Sequence, residues 1–295
     1  MTAIVYLNGG FVNESDAVVS VYDGGWLHGA GLFETMRAEN GRVFRLESHV
    51  ERLRRSASKL LADIQRDALP ASESFTELLE RNGLKTARVR LTVSAGSMHP
   101  DHLGDSDSSS GTGGGSYCTV CVTATKLSGY PPGFYESGAA VVIGDFRLSP
   151  NDPVAGHKTT GFLPRLLSLR RAQQARCAEA LCFTTAGCLA EGSISNVFVA
   201  HKGVLKTPPL DTPVLPGIAR GIVLEIARAT GIEAHECPLT INDLLDADEV
   251  LLTNAIMQVI PVIRVEKHDI RDARVGPIAR KLLEEYRKRV KKECA

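Results

Sequence analysis

Three short stretches of this 295-residue chain carry side chains that could do chemistry together. GHKTTG (156–161) sets Lys158 among small residues that allow close backbone approach, just ahead of the helical-looking LPRLLSLRRAQQARC. An amine there can attack an aldehyde. LAEGSISNVF (189–198) offers Glu191 in a tight polar turn before a strand. A carboxylate facing a pyridine nitrogen would keep that nitrogen protonated and make the ring an electron sink. PGIAR (216–220) opens a helix, where the free N–H groups of Gly217, Ile218 and Ala219 and the helix dipole attract a phosphate. Arg52 could add a forked, charge-assisted contact to such an anion. Each element has an ordinary alternative: a surface lysine, a turn-stabilising carboxylate, a plain helix start. Their joint occurrence points to a lysine-bound aldehyde cofactor.

Other chemistries find less support. A phosphate loop needs GxxxxGK[ST], but His157 precedes Lys158 and position 152 is Asp. Cys118 and Cys121 form a C-x-x-C in a strand-like stretch, which puts the two side chains on opposite faces. No second pair completes a metal site, so no metal is expected. Seven cysteines, an odd number scattered along the chain, fit reduced thiols in a cytoplasmic setting. Lys+Arg and Asp+Glu both total 34, so nothing favours nucleic acid or an anionic membrane surface. No apolar run approaches the ~18–20 residues that span a bilayer, and no secretory signal is expected at MTAIVYLNGGFVNES. With 43% hydrophobic and 23% charged residues, the composition is that of a soluble globular protein.

The elements that must position these residues suggest two lobes, because the length exceeds what one core ordinarily serves. Residues 1–126 read as a small N-terminal α/β domain, and the Pro/Gly-rich 127–137 as a linker. Residues 138–295 read as a larger C-terminal domain carrying Lys158. Asn8-Gly9-Gly10 and Glu39-Asn40-Gly41 are hairpin turns. Ser48 is expected to cap a helix with apolar Val50, Leu53, Ala57, Leu60 and Leu61 at helical spacing. ARVRLTVSAG and SYCTVCVTAT are strands, and the Gly/Ser-rich 104–116 between them reads as a mobile loop, either a hairpin tip or a lid. In the second half Pro164 suits a first helical turn, and Pro216 and Gly231 bracket another helix. Strands fall at AAVVIGDFRL, within EALCFTTAGCLAEG and NVFVAHKGVLKTP, and at IEAHECPL and DEVLLTN. The tail from Pro277 is a basic amphipathic helix. The mixture reads as α+β (mixed α/β), not a doubly wound sheet.

With these residues in hand, the chain resembles the class IV, or fold-type IV, pyridoxal-phosphate enzymes. That family includes branched-chain aminotransferases, D-amino acid aminotransferases and aminodeoxychorismate lyases. The resemblance is carried by GLFETMR (31–37), RLESHVERLRRSA (45–57), GHKTT, LAEGSISNVF, VLPGIARGIV (214–223) and DEVLLTNAIMQVIPV (248–262). It implies a two-lobed fold with pyridoxal 5'-phosphate between a small N-terminal and a larger C-terminal domain. It also implies a homodimer whose partner loops close the substrate side. By this resemblance Lys158 is the Schiff-base lysine, Glu191 the partner of the pyridine nitrogen, and Arg52 a phosphate ligand. Ser195 and Asn196 shape the cofactor pocket. Gly217, Ile218 and Ala219 form the phosphate-binding helix start, and Asn254 with Ala255 the other phosphate-side loop. The implied activity is amino transfer between an amino acid and a 2-keto acid in a ping-pong cycle.

Departures from the family bear on the substrate. Phe162 follows Lys158 where branched-chain enzymes carry a tyrosine, and TNAIMQVIPV replaces their small-residue motif. Ala95 replaces the arginine that D-amino acid enzymes use, leaving His99 and His102 as candidate carboxylate contacts, with Arg37 as a further one. Thr35 and TNAIM match the lyase branch, which releases pyruvate and 4-aminobenzoate. The main reading is a general transaminase. The lyase is the alternative, and a non-catalytic cofactor-binding relative the outside one.

Overall fold

The computed structural model describes residues 2–61, 69–99 and 118–295. The expected Gly/Ser-rich loop and His102 lie outside them. Two units emerge: Met1–Ser128 with Lys158–Gly161 and Cys294–Ala295, and Gly129–His157 with Phe162–Glu293.

The first unit runs β1 (Ile4–Leu7), β2 (Gly10–Asn13), α1 (Gly24–His28), β3 (Gly31–Glu39), β4 (Arg42–Val43), α2 (Leu46–Leu60), α3 (Ser72–Arg81), β5 (Ala87–Ser94) and β6 (Val120–Lys126). Its sheet has the order β2-β1-β6-β5-β3-β4 with antiparallel pairings throughout. Both predicted hairpin turns hold consecutive positive φ values, Asn8 at 47° and Gly9 at 94°, then Asn40 at 50° and Gly41 at 76°. Primed turns require that backbone, and their twist matches the flanking strands. One face of the sheet, with Leu32, Met36, Val89 and Leu91, packs against Leu53 and Ala57 of α2 and Phe75 and Leu78 of α3. Fully burying each large apolar side chain there contributes about 1.5–3 kcal/mol.

Helix α2 differs from expectation at its start. Arg45, in the left-handed region at φ 55°, is the N-cap residue and makes no side-chain cap. The helix therefore opens at Leu46, and Ser48 sits inside the first turn. The first-turn Glu47 supplies the negative charge that a helix start favours.

The second unit contains α4 (Pro132–Glu136), β7 (Ala139–Leu148), α5 (Leu163–Gln174), β8 (Glu179–Thr184), β9 (Leu189–Gly192), β10 (Asn196–His201), β11 (Val204–Thr207), α6 (Ile218–Ala229), β12 (Ala234–Glu236), α7 (Ile241–Leu245), β13 (Glu249–Asn254), β14 (Gln258–Val265), β15 (His268–Asp269) and α8 (Pro277–Glu293). Helix α4 occupies part of the stretch read as a linker. Nine strands follow the order β12-β11-β10-β13-β14-β7-β8-β9, with β15 beside β14. The path also closes on itself, because β9 pairs with β10 through Glu191 and Asn196. A six-strand ring results, filled by side chains such as Val141, Leu181, Val197, Leu252 and Ile260.

One assignment is corrected. Lys158–Gly161 groups with the first unit, not with the C-terminal domain. Lys158 lies ten residues past Leu148, the last residue of β7. The reason is backbone pairing. Thr159 bridges Leu32, Phe33 N–H donates to the Lys158 carbonyl at 2.9 Å, and Thr160 N–H donates to the Gly31 carbonyl at 2.8 Å. The segment thereby extends the sheet along the edge of β3.

Candidate active site

In the first unit the lysine is set by that edge pairing. Its Nζ lies 4.4 Å from the Phe33 ring centroid, and the Arg90 guanidinium lies 3.8 Å from the same centroid. Cations over an aromatic face meet its negative quadrupole. Arg90 pairs in register with Thr35, so Thr35, Phe33 and Arg90 share one face of the β3–β5 ladder. Burial pulls the Arg90 guanidinium below its ordinary range, helped by Arg88.

Glu34, next to Phe33, points to the opposite face by strand alternation and meets α2. Its carboxylate accepts Arg52 Nε at 2.8 Å and Nη2 at 2.5 Å, a forked pair, and lies 2.7 Å from His49 Nδ1. All three residues are buried. Burial alone would raise the Glu34 carboxyl; the Arg52 charge, with His49, outweighs it and holds it at about 2. His49 is pushed below 6.5 by burial first, and by the Arg52 and Lys158 charges, against the pull of Glu34. Arg52 is therefore held in place by a carboxylate. Arg37, on the same face of β3 as Phe33 and Thr35, donates to Glu39 at 3.0 and 3.3 Å. His99 packs edge-on against Tyr22, with ring centroids 4.5 Å apart.

In the second unit Glu191 lies on β9, not in a turn, because it pairs across the ring closure with Asn196. The polar turn is the Ser193–Ser195 stretch that follows. Glu191 Oε2 accepts Asn196 Nδ2 at 3.3 Å and the Leu215 N–H at 3.0 Å. Its Oε1 accepts Arg165 Nη2 at 2.5 Å. Asn196 Nδ2 also donates to the Leu215 carbonyl at 2.9 Å, which ties Glu191 to the approach of α6. Gly217, the N-cap residue of α6, has Asn196 Oδ1 where a Cβ would sit. No side chain caps α6, so the first N–H groups at Ile218 and Ala219 have no side-chain acceptor at the helix start. Asn254 Nδ2 donates to the Ile194 carbonyl at 3.1 Å, and its Oδ1 accepts the Ile256 and Met257 N–H groups, folding the chain around Ala255. Ser195 Oγ donates to Glu179 Oε2 at 3.2 Å, beneath the turn. Glu179 is fully buried, and burial raises it to about 7.

The sequence reading passed over Glu34, His49, Arg90 and Arg165. FETMR and HVER held the first pair in view. Arg165 carried no signal of its own, being one of several arginines around α5. Among the described residues no cluster of His, Cys, Asp or Glu could hold a metal, and no helix is long and apolar enough to cross a membrane.

The fold, the lysine at the sheet edge and the carboxylate at the ring closure define a class. Residues 31–265 match the family described as Amino-transferase class IV, and the chain belongs to that family. It is 36% identical over 288 residues to a putative branched-chain-amino-acid aminotransferase of Methanocaldococcus jannaschii, covering 96% of this chain and 95% of the relative. It is 31% identical over 272 residues to the aminodeoxychorismate lyase of Bacillus subtilis, covering 90% and 87%. Among solved structures, the T.th. branched-chain amino acid aminotransferase with pyridoxamine 5'-phosphate superposes with a TM-score of 0.85 at 26% identity, covering 99% and 95%. The chain is a fold-type IV, pyridoxal-phosphate-dependent transaminase, and the lyase relative is the more distant of the two curated relatives.

Proposed function

We propose that Lys158 holds pyridoxal 5'-phosphate through its amine and that the chain moves an amino group between an amino acid and a 2-keto acid. The position of Lys158 is the main support: its Nζ stands 4.4 Å from the Phe33 centroid on a segment fixed by backbone pairing. The donor set suits the cofactor's polar ends. A lysine amine suits the aldehyde. The uncapped start of α6 at Gly217, Ile218 and Ala219, with Arg52, suits the phosphate. Glu191, 2% exposed and bounded by Ser195 and Asn196, suits the ring nitrogen. Asn254 and Ala255 belong to the phosphate-side loop on this reading.

Bound pyridoxal phosphate supplies an aldehyde and an electron-withdrawing ring that stabilises the charge left when the substrate α-carbon loses its proton. Lys158, its amine freed by the substrate's, would be the base that takes that proton and the acid that holds it for return at C4′. Glu191 retains the proton at the ring nitrogen. A keto acid acceptor then completes a ping-pong cycle. On the substrate side we assign Thr35, Arg37 and His99, joined by Arg90, whose fork matches a carboxylate.

Exposed apolar side chains on each unit, among them Val18 at 77% and Trp26 at 76% on the first and Leu163 at 65% on the second, support a homodimer. Seven cysteines, none of them in a disulfide, support a cytoplasmic setting.

The test is reconstitution of the purified chain with pyridoxal phosphate. A yellow protein is expected, with borohydride fixing the cofactor on the peptide that contains Lys158. Turnover of an amino acid is expected only with a keto acid acceptor. Release of pyruvate and 4-aminobenzoate from aminodeoxychorismate without an acceptor assigns the lyase instead. A protein that stays colourless with added cofactor overturns both.

A further inference from the structure

The carboxylate read as the ring-nitrogen partner is already engaged by a cation. Arg165 stands in the first turn of α5. Its Nη2 donates to Glu191 Oε1 at 2.5 Å, and its Nη1 lies 3.4 Å from the Gly192 carbonyl and 3.3 Å from that of Ser193. The guanidinium thus grips Glu191 and the turn behind it at once. A carboxylate has about four acceptor sites. Asn196 and the Leu215 N–H take the two on Oε2, and Arg165 takes one on Oε1. The remaining site is on Oε1, the oxygen that Arg165 holds.

We infer that Arg165 is a positioning residue: it fixes Glu191 with a single acceptor site open on Oε1, and its charge loosens the proton of a ring nitrogen bound at that site. The inference rests on reading Glu191 as the ring-nitrogen partner. The physics is direct. A donor at Oε1 stands beside a guanidinium sharing the same oxygen, and two like charges at such range in a buried site weaken one another. The other titratable groups facing Arg165 are Glu179 and Cys182, both on β8. Burial raises Glu179 to about 7 and the Cys182 thiol to about 12, so Glu191 is the principal anion at the guanidinium.

The test uses the holoprotein loaded with pyridoxal phosphate labelled with 15N at the ring, read by NMR. In Arg165→Gln the ring-nitrogen signal is expected to move toward the protonated position, with its proton held about tenfold more tightly, one unit of pH. Arg165→Lys keeps the charge and is expected to stay near the unmodified protein. An unchanged signal in Arg165→Gln, or an equal displacement in both variants, overturns the inference. Should Arg165→Gln not fold, the unmodified holoprotein decides. Its ring nitrogen is expected to release its proton within a pH titration over the range in which the fold persists, and full protonation throughout that range overturns the inference. Failure of the chain to bind the cofactor at all is a different result: it removes the reading of the site, not the Arg165–Glu191 pair. That pair is measured without cofactor. In the apoprotein, Arg165→Gln is expected to lower Tm by several degrees more when Glu191 is intact than in combination with Glu191→Gln.

Discussion

Replacing Glu34 with Gln removes the charge from a buried trio while keeping its shape. Arg52 and His49 are then left with a neutral acceptor at a site where all three residues are at most 5% exposed. Two routes give the magnitude. A carboxyl held at about 2 against an ordinary 4.5 contributes about 3 kcal/mol at pH 7. Breaking one side of a buried ion pair costs about 3–5 kcal/mol. Both predict a loss of roughly 10 °C in Tm for the first unit. The pH dependence has a fixed sign. Glu34 is depressed in the folded state, so its contribution is complete above 4.5 and drains as pH falls toward 2. His49 is also depressed, from 6.5, so the unfolded chain gains its proton first on acidification, and this loss runs the same way. The assay is thermal unfolding of the apoprotein from neutral to acid pH. The unmodified chain is expected to weaken steadily below pH 6.5, and Glu34→Gln to start lower and fall less between 4.5 and 2. A variant within about 0.5 kcal/mol of the parent at pH 7, or one with the parent's acid slope, refutes the reasoning.

Two further outcomes follow from the geometry. Gly217→Ala forces a methyl group onto Asn196 Oδ1, whose amide holds Glu191 and Leu215, so cofactor affinity should fall about tenfold or more; a titration with pyridoxal phosphate at the parent's dissociation constant contradicts this. Trp26→Asp puts a charge on the most exposed aromatic of the apolar 18–27 stretch, and sedimentation equilibrium should show a weaker dimer. A dimer of full strength removes that stretch from the interface.

Much of the framework was legible because it is written in local patterns. The two Asn-Gly turns fixed where hairpins reverse, since few other residue pairs accept two positive φ values in succession. The apolar positions of α2 fell where a 3.6-residue period puts them, and they do line the core. Pro164 and Pro216 marked the starts of α5 and α6. The start of α2 was misread because a left-handed Arg45 makes no side-chain hydrogen bond that a sequence pattern could reveal. Glu191 was read as a turn residue because its strand is only four residues long and its pairing partner, Asn196, is set by closure of the ring.

Residue types and their order along the chain were enough to identify the reactive groups: a lysine between small residues, a carboxylate ahead of a strand, a helix opening with glycine. What those groups touch came from the folded chain. Glu34 meets Arg52 across 18 positions, Arg165 meets Glu191 across 26, and Lys158 joins the sheet that contains Leu32. None of these pairings follows from spacing, because strand register and burial choose the partner, and a one-residue slip would turn each side chain to the other face. A charge has to find its counterion once it is buried, and only the tertiary packing settles which one is there.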